Sequence, residues 1–278
     1  MAIKNIHKRT SEQASASIAK LVGKTRTLQE LTKFGSHAME GSDLAADDAA
    51  YQWEKLSHWA WGYLTASVDH VGLLTDTWSD DVIRIGYIRA RATYTLLRGA
   101  MEAAAQTVWV LHPADASERR LRHMRLLRED FREQQQVQRN HHPAALPPLT
   151  AEQRLADLRT RSAGIASWSQ VKKPTSYLGM VRAAAEATEK DPDEFELLWR
   201  AASGFAHGKQ WPLLAFGTFT TSGVVSEGSA SGTLYPNPDN VVWMAEVVVD
   251  LCYAGMANYM TRGGLIDYRT LLRYGAGQ

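Results

Sequence analysis

Apolar residues recur at helical spacing along most of this chain, and the period changes only once. Between Ser11 and Phe34, Ile18, Leu21, Val22, Leu28 and Leu31 form an intermittent apolar face. After Gly35 and Gly41, Ser42 and Asp43 offer helix caps, and Asp47 and Asp48 read as acids of a first turn. No proline follows until well past Trp78, so one long helix is predicted from Asp43 to about Trp78. Tyr51, Trp59, Tyr63 and Ala66 mark one of its stripes, and Trp53, Leu56, Ala60 and Leu64 the next. Ser79, Asp80 and Asp81 read as the following cap. From Val82 to Leu111 the pattern is apolar over most of the circumference, with Ile85, Ala92, Leu96 and Ala103 on one side and Tyr87, Tyr94, Leu97, Met101 and Val108 on another. A helix of that kind belongs at the centre of a fold, and Pro113 ends it.

Asp115 to His142 is charged, with a narrow apolar edge of Leu121, Met124, Leu127 and Phe131. Pro143, Pro147 and Pro148 then break the chain. Thr150 with Gln153 fits a capping box. Helices are expected at 175–189 and 192–207, with Pro174 and Pro192 near their starts. The period changes after that. Leu213 to Thr221, the glycines 223, 228 and 232 with serines between, and Thr233 to Tyr235 predict a β-hairpin or flap across 213–236. The Gly/Ser stretch 222–232 reads either as a flexible loop or as a lid. Asp239 or Asn240 caps an apolar helix over 241–261, and a short helix is expected at 266–274. The fold class is mainly α, a helical bundle with one small β insertion. A single domain over 1–278 is expected, with a subdivision at 143–149 into an extension (1–40), long helices (42–142) and the remainder (150–278).

At 278 residues, with 45% hydrophobic and 22% charged residues, the chain can bury a core and is not globally disordered. Lys and Arg number 31 against 30 Asp and Glu, so a polyanion could be held only by a local patch. The lone cysteine, Cys252, allows no disulfide within the chain. Glu246 and Asp250 interrupt the apolar run Val241–Met260, which favours a core helix over a membrane span. A cytoplasmic protein with no membrane association is the expectation. Phosphate-loop, dinucleotide-binding, zincin, nucleophile-elbow and kinase signatures are all missing. The adjacent His141 and His142 are poorly spaced for joint ligation. No metal and no cofactor are expected.

The most informative stretch runs from Glu196 to Gly208. At about 100° per residue, Arg200, Ser203 and His207 share one helix face, with Glu196 one turn earlier, while Phe195, Leu198, Ala202 and Phe205 face elsewhere. Gly208 is placed to stop the helix, and Pro212 to prevent its early resumption. An arginine supplies a permanently charged fork for phosphate oxygens. A histidine can take a proton from a ribose 2′-hydroxyl or give one to a leaving 5′-oxygen, and Ser203 could orient either group. The two are roughly 10 Å apart along the axis, so one copy makes a sparse site, and two copies meeting across a symmetric helix interface make a richer one. A purely structural reading stands beside this: Arg200 pairs with Glu196 at i, i+4, and His207 caps the helix.

Arg200-Ala-Ala-Ser-Gly-Phe-Ala-His207, with Trp199 before the arginine and Gly208 after the histidine, resembles the Arg-x6-His motif of the HEPN superfamily of helical bundles. Arg98-x3-Glu102 in the earlier apolar helix also looks like a bacterial branch of that superfamily. The resemblance spans about 80–210. It implies a helical bundle, a homodimer, and metal-independent endoribonuclease activity in a toxin–antitoxin or phage-defence setting, with RNA as substrate and an antitoxin or other protein as partner. His207, Arg200 and Ser203 would form the catalytic set, and Arg98, Glu102, Arg91 and Glu196 would support the RNA cleft. Ala201 departs from the pattern, because many active members carry a polar residue directly after the arginine. A non-catalytic dimerisation module and a small-molecule-binding bundle with the 213–236 flap over an aromatic pocket are the alternatives.

Three further features carry two readings each. Arg84, Arg91, Arg98 and Glu102 fall on one line and either pair internally or with neighbouring acids, or face the same cleft as Arg200 and His207. The arginines of 115–142 are interleaved with Glu118, Glu129, Asp130 and Glu133, so they form a salt-bridged face or follow an RNA backbone. Trp59, Trp61 and Tyr63 are core or dimer packing, or a base-stacking platform.

Overall fold

In a computed structural model of the chain, residues 11–78, 89–140, 150–226 and 229–265 are described. The first ten residues, the Ser79–Asp81 cap, Arg84, Ile85, Tyr87, the His141–Pro148 break, Gly228 and the helix expected at 266–274 lie outside them. The described chain is mainly α. Its helices are α1 (Ser11–Thr32), α2 (Asp43–Ala50), α3 (Leu56–Asp76), α4 (Ala90–Leu111), α5 (Ala116–Asn140), α6 (Ala151–Arg161), α7 (Trp168–Val171), α8 (Tyr177–Ala187), α9 (Pro192–Ala206), α10 (Trp211–Phe216) and α11 (Pro238–Arg262). Two antiparallel strands, β1 (Gly217–Ser226) and β2 (Ser229–Pro236), form a ribbon between α10 and α11.

The segment predicted to be apolar nearly all round is central. Tyr94, Leu97, Met101, Ala104, Val108 and Leu111 of α4 are fully buried, and α4 packs on α3, α8, α9 and α11. Tyr94 stacks on Phe205 of α9 with centroids 4.1 Å apart. Trp61 of α3 meets Tyr259 of α11 at 4.9 Å. Each fully buried Leu or Phe contributes about 1.5–3 kcal/mol. A second, smaller cluster gathers Tyr51, Leu121, Met124, Leu127, Phe131, Leu158 and Val171 under α5, α6 and α7. The predicted narrow edge of α5 is therefore buried as a unit. Among the described residues α11 is the one helix long and apolar enough to cross a bilayer, and most of that stretch is buried in the fold.

The long helix predicted over 43–78 is two helices. Asp47 and Asp48 are buried near the end of α2 instead of standing in an exposed first turn. Asp47 accepts Arg119 Nε at 2.7 Å and Arg120 Nε at 2.8 Å. Asp48 accepts the Ser57 backbone N–H at 2.9 Å and its hydroxyl at 2.5 Å, and so caps the first turn of α3. The first helix stops at Tyr51, whose φ of −143° and ψ of 84° are not helical.

The capping box is present, with Gln153 N–H on Thr150 Oγ1 and Thr150 N–H on Gln153 Oε1. Residues 213–216 belong to α10 and not to the hairpin, which begins at Gly217. Pro212 is the second residue of this short helix, in its first turn, instead of delaying one. The Gly/Ser stretch forms paired strands, with register breaks between Thr221 and Gly223 and between Val224 and Ser226. The cap of α11 is Asn237, whose side chain accepts the Asp239 N–H.

Candidate functional site

The edge of α9 carries the predicted motif. Asp191 caps the helix and Pro192 follows it, and its core side is Phe195, Leu198, Ala201, Ala202 and Phe205. The C-terminus closes with a Schellman pair, Lys209 N–H to Gly204 O at 2.8 Å and Gly208 N–H to Phe205 O at 3.1 Å, with Gly208 at φ +69°. This fixes His207 as the C-cap residue, exposed, with its own N–H on Ser203 O at 3.1 Å.

Arg200 is exposed, and its Nε donates to Glu196 Oε1 at 2.6 Å. Glu196 also accepts Arg182 Nη1 at 2.6 Å. Arg200 and then Arg182 hold the Glu196 carboxyl below its usual range. The expected i, i+4 pair is therefore real, and it uses only the Nε side of the guanidinium. The terminal nitrogens of Arg200 donate to no described residue. Ser203 is half-buried between Arg200 and the core. Arg200, Ser203 and His207 thus share one accessible edge.

Sequence reasoning missed what borders that edge. A Cβ at Gly204 would meet Pro212 Cγ at 2.5 Å and Trp211 Nε1 at 3.2 Å, so only glycine lets α10 pack this closely on α9. Trp211 and Leu214 of α10 stay exposed, at 44% and 70%, as do Phe219 and Tyr235 on the ribbon. The ribbon joins the rest of the molecule mainly through α10. A glycine inside an otherwise strong helix was the available signal.

Arg98 and Glu102 pair within α4 at 2.9 Å. The same Glu102 oxygen accepts Trp199 Nε1 from α9 at 2.8 Å, and the Arg98 guanidinium lies 5.7 Å from the Trp199 ring. The two motif segments are therefore tied together, through Trp199 and not through Arg200. Arg98 and Trp199 line an open cleft of about 590 Å³ whose other walls include Tyr63, Asp130, Glu133 and Tyr177. Arg200, His207 and Arg91 are not among its lining residues, and no described ribbon residue lines it. Arg91 is exposed on the first turns of α4.

The α5 arginines are largely committed: Arg119 and Arg120 to Asp47, Arg122 to Glu118, and Arg128 and Arg132 to Glu129. Trp59 and Trp61 are packed in the two cores, and Tyr63 also faces the cleft. Among the described residues no group of three His, Cys, Asp or Glu side chains is placed to hold a metal ion. Neither family models, curated proteins nor solved structures give a match to this chain.

Proposed function

We propose that the chain is a HEPN-like homodimer that cleaves RNA, without a metal, at a site shared between two copies of α9. The observation that carries this reading is the accessible Arg200–Ser203–His207 edge lying beside an uncovered apolar surface on α10 and the ribbon. A two-stranded ribbon with apolar side chains exposed is marginal alone and gains from being covered.

Two antiparallel copies of α9 related by a two-fold axis near Ser203 bring Arg200 of one copy beside His207 of the other. Glu196 orients the guanidinium, and its free terminal nitrogens grip the phosphate oxygens. The imidazole takes the 2′-hydroxyl proton as that oxygen attacks phosphorus. The 5′-oxygen leaves and takes a proton from water, giving a 2′,3′-cyclic phosphate and a 5′-hydroxyl end. A cytoplasmic toxin or phage-defence role fits this chemistry, with an antitoxin or other protein as the restraining partner. Ala201, fully buried behind Arg200, favours a second reading in which the same dimer surface serves a non-catalytic interaction module.

The test is purified protein incubated with mixed RNA in EDTA. Cleavage leaving cyclic phosphate ends is expected, with a loss of about 10²-fold or more in His207→Ala. No cleavage by the wild type, or equal cleavage by the variant, overturns the catalytic reading.

A further inference from the structure

The cleft beside Trp199 has a chemistry of its own. Its volume of about 590 Å³ suits a small molecule. Three acids of α5 line it, and they are not equivalent. Glu129 is neutralised by Arg128 at 2.6 Å and Arg132 at 2.7 Å. Asp130 and Glu133 form no ion pair or hydrogen bond with a described residue. Arg98 is committed to Glu102, and the nearby Arg154 to Glu54 at 2.6 Å and Gln134 at 3.0 Å. The wall therefore holds two exposed carboxylates, one helical turn apart, that have no ion-pair partner among the described residues.

Tyr63 of α3 and Tyr177 at the start of α8 line the same cleft. Neither hydroxyl bonds to a described residue. Tyr63 is half-buried, and burial, then Asp130 and Tyr177, push its hydroxyl above the usual tyrosine range. Burial raises the Asp130 carboxyl, Arg154 pulls it back, and Glu133 and Glu54 add to the rise. Unpaired acids beside aromatic faces attract organic cations. The acids are not grouped to chelate a metal.

We propose that this cleft binds a small aliphatic polyamine, its ammonium groups paired with Asp130 and Glu133 and its methylene chain laid along Tyr63 and Tyr177. This assignment is independent of the ribonuclease reading, because it concerns binding by a different surface. A seated cation would satisfy the two carboxylates and both hydroxyls together.

Calorimetric titration of the full chain with spermidine, at physiological salt and without RNA, tests it. Saturable binding with Kd below about 1 mM is expected, with none for the neutral analogue 1,8-octanediol and no displacement by an equal concentration of magnesium. Asp130→Asn with Glu133→Gln should weaken binding about tenfold or more, and Tyr177→Ala by about threefold, with a cooperative thermal transition in each variant showing that it is folded. No saturable binding, full affinity in the double variant, or displacement by magnesium overturns the proposal.

Discussion

Glu102 on α4 and Trp199 on α9, 97 residues apart, are joined by a 2.8 Å hydrogen bond from the indole N–H to the carboxylate oxygen that also accepts Arg98. This contact sets the rotation of α9 against the central helix. Trp199 precedes Arg200, so the contact also sets the direction in which Arg200 leaves the helix. Trp199→Phe deletes the donor and also removes the pyrrole half of the indole, so the loss it measures is at least that of the bond. A loss of about 1.5–3 kcal/mol is expected, because the acceptor is charged, and equilibrium urea unfolding measures it. An unchanged midpoint would mean that the bond does not orient α9.

The Asp47–Arg119 pair is the most deeply buried charge contact among the described residues, at 2.7 Å. Arg119 also donates from Nη1 to Pro113 O at 2.9 Å and Ala114 O at 2.7 Å, holding the turn between α4 and α5. Asp47→Ala leaves a buried guanidinium without its counter-charge. The expected cost is about 3–5 kcal/mol, a fall of roughly 10 °C in thermal midpoint. Arg119→Lys should also destabilise, because one ammonium cannot reproduce the planar fork. A fall of under 2 °C in Asp47→Ala would contradict this account.

His123 gives the molecule a weakness in acid. It is buried against Tyr51 and Trp59, its Nε2–H donates to Glu54 O at 2.6 Å, and its Nδ1 has no partner among the described residues. Burial pushes its pKa down to about 4 from 6.5, only partly offset by the backbone bond. Above pH 6.5 the ring is neutral folded or unfolded and contributes no pH dependence. As pH falls from 6.5 to 4 only the unfolded chain takes the proton, so stability drops by about 3 kcal/mol in total. His123→Gln should flatten that part of the stability–pH curve, read by urea unfolding at intervals across this range. An unchanged slope in the variant would assign the acid weakness elsewhere.

The helical class, the centrality of α4, the Thr150 capping box and the stop at Gly208 were legible because each depends on neighbours in sequence. Asp47 and Asp48 were misread because nothing local reveals that one reaches Arg119 and the other Ser57. The α10 turn was hidden for a related reason: Pro212 as a breaker and Pro212 as a first-turn residue look alike until Gly204 is seen beneath it. The Arg98–Glu102 pair followed from spacing alone. Its tie to Trp199, and the cleft that Arg98 and Trp199 line with Tyr63, Asp130 and Tyr177, needed the packing of five helices. The motif edge was legible as a face of α9, but its apolar border on α10 and the ribbon was not.

The central claim is a site built from two copies, and complementation tests it most directly. Arg200→Ala and His207→Ala proteins, each inactive alone, are mixed, allowed to exchange subunits, and assayed on RNA in EDTA. In a mixed dimer one of the two shared sites keeps both an intact Arg200 and an intact His207. The account predicts recovery of up to about one quarter of wild-type activity. A wild type that cleaves while the mixture stays as inactive as either variant would place both residues of the site in one chain and contradict it.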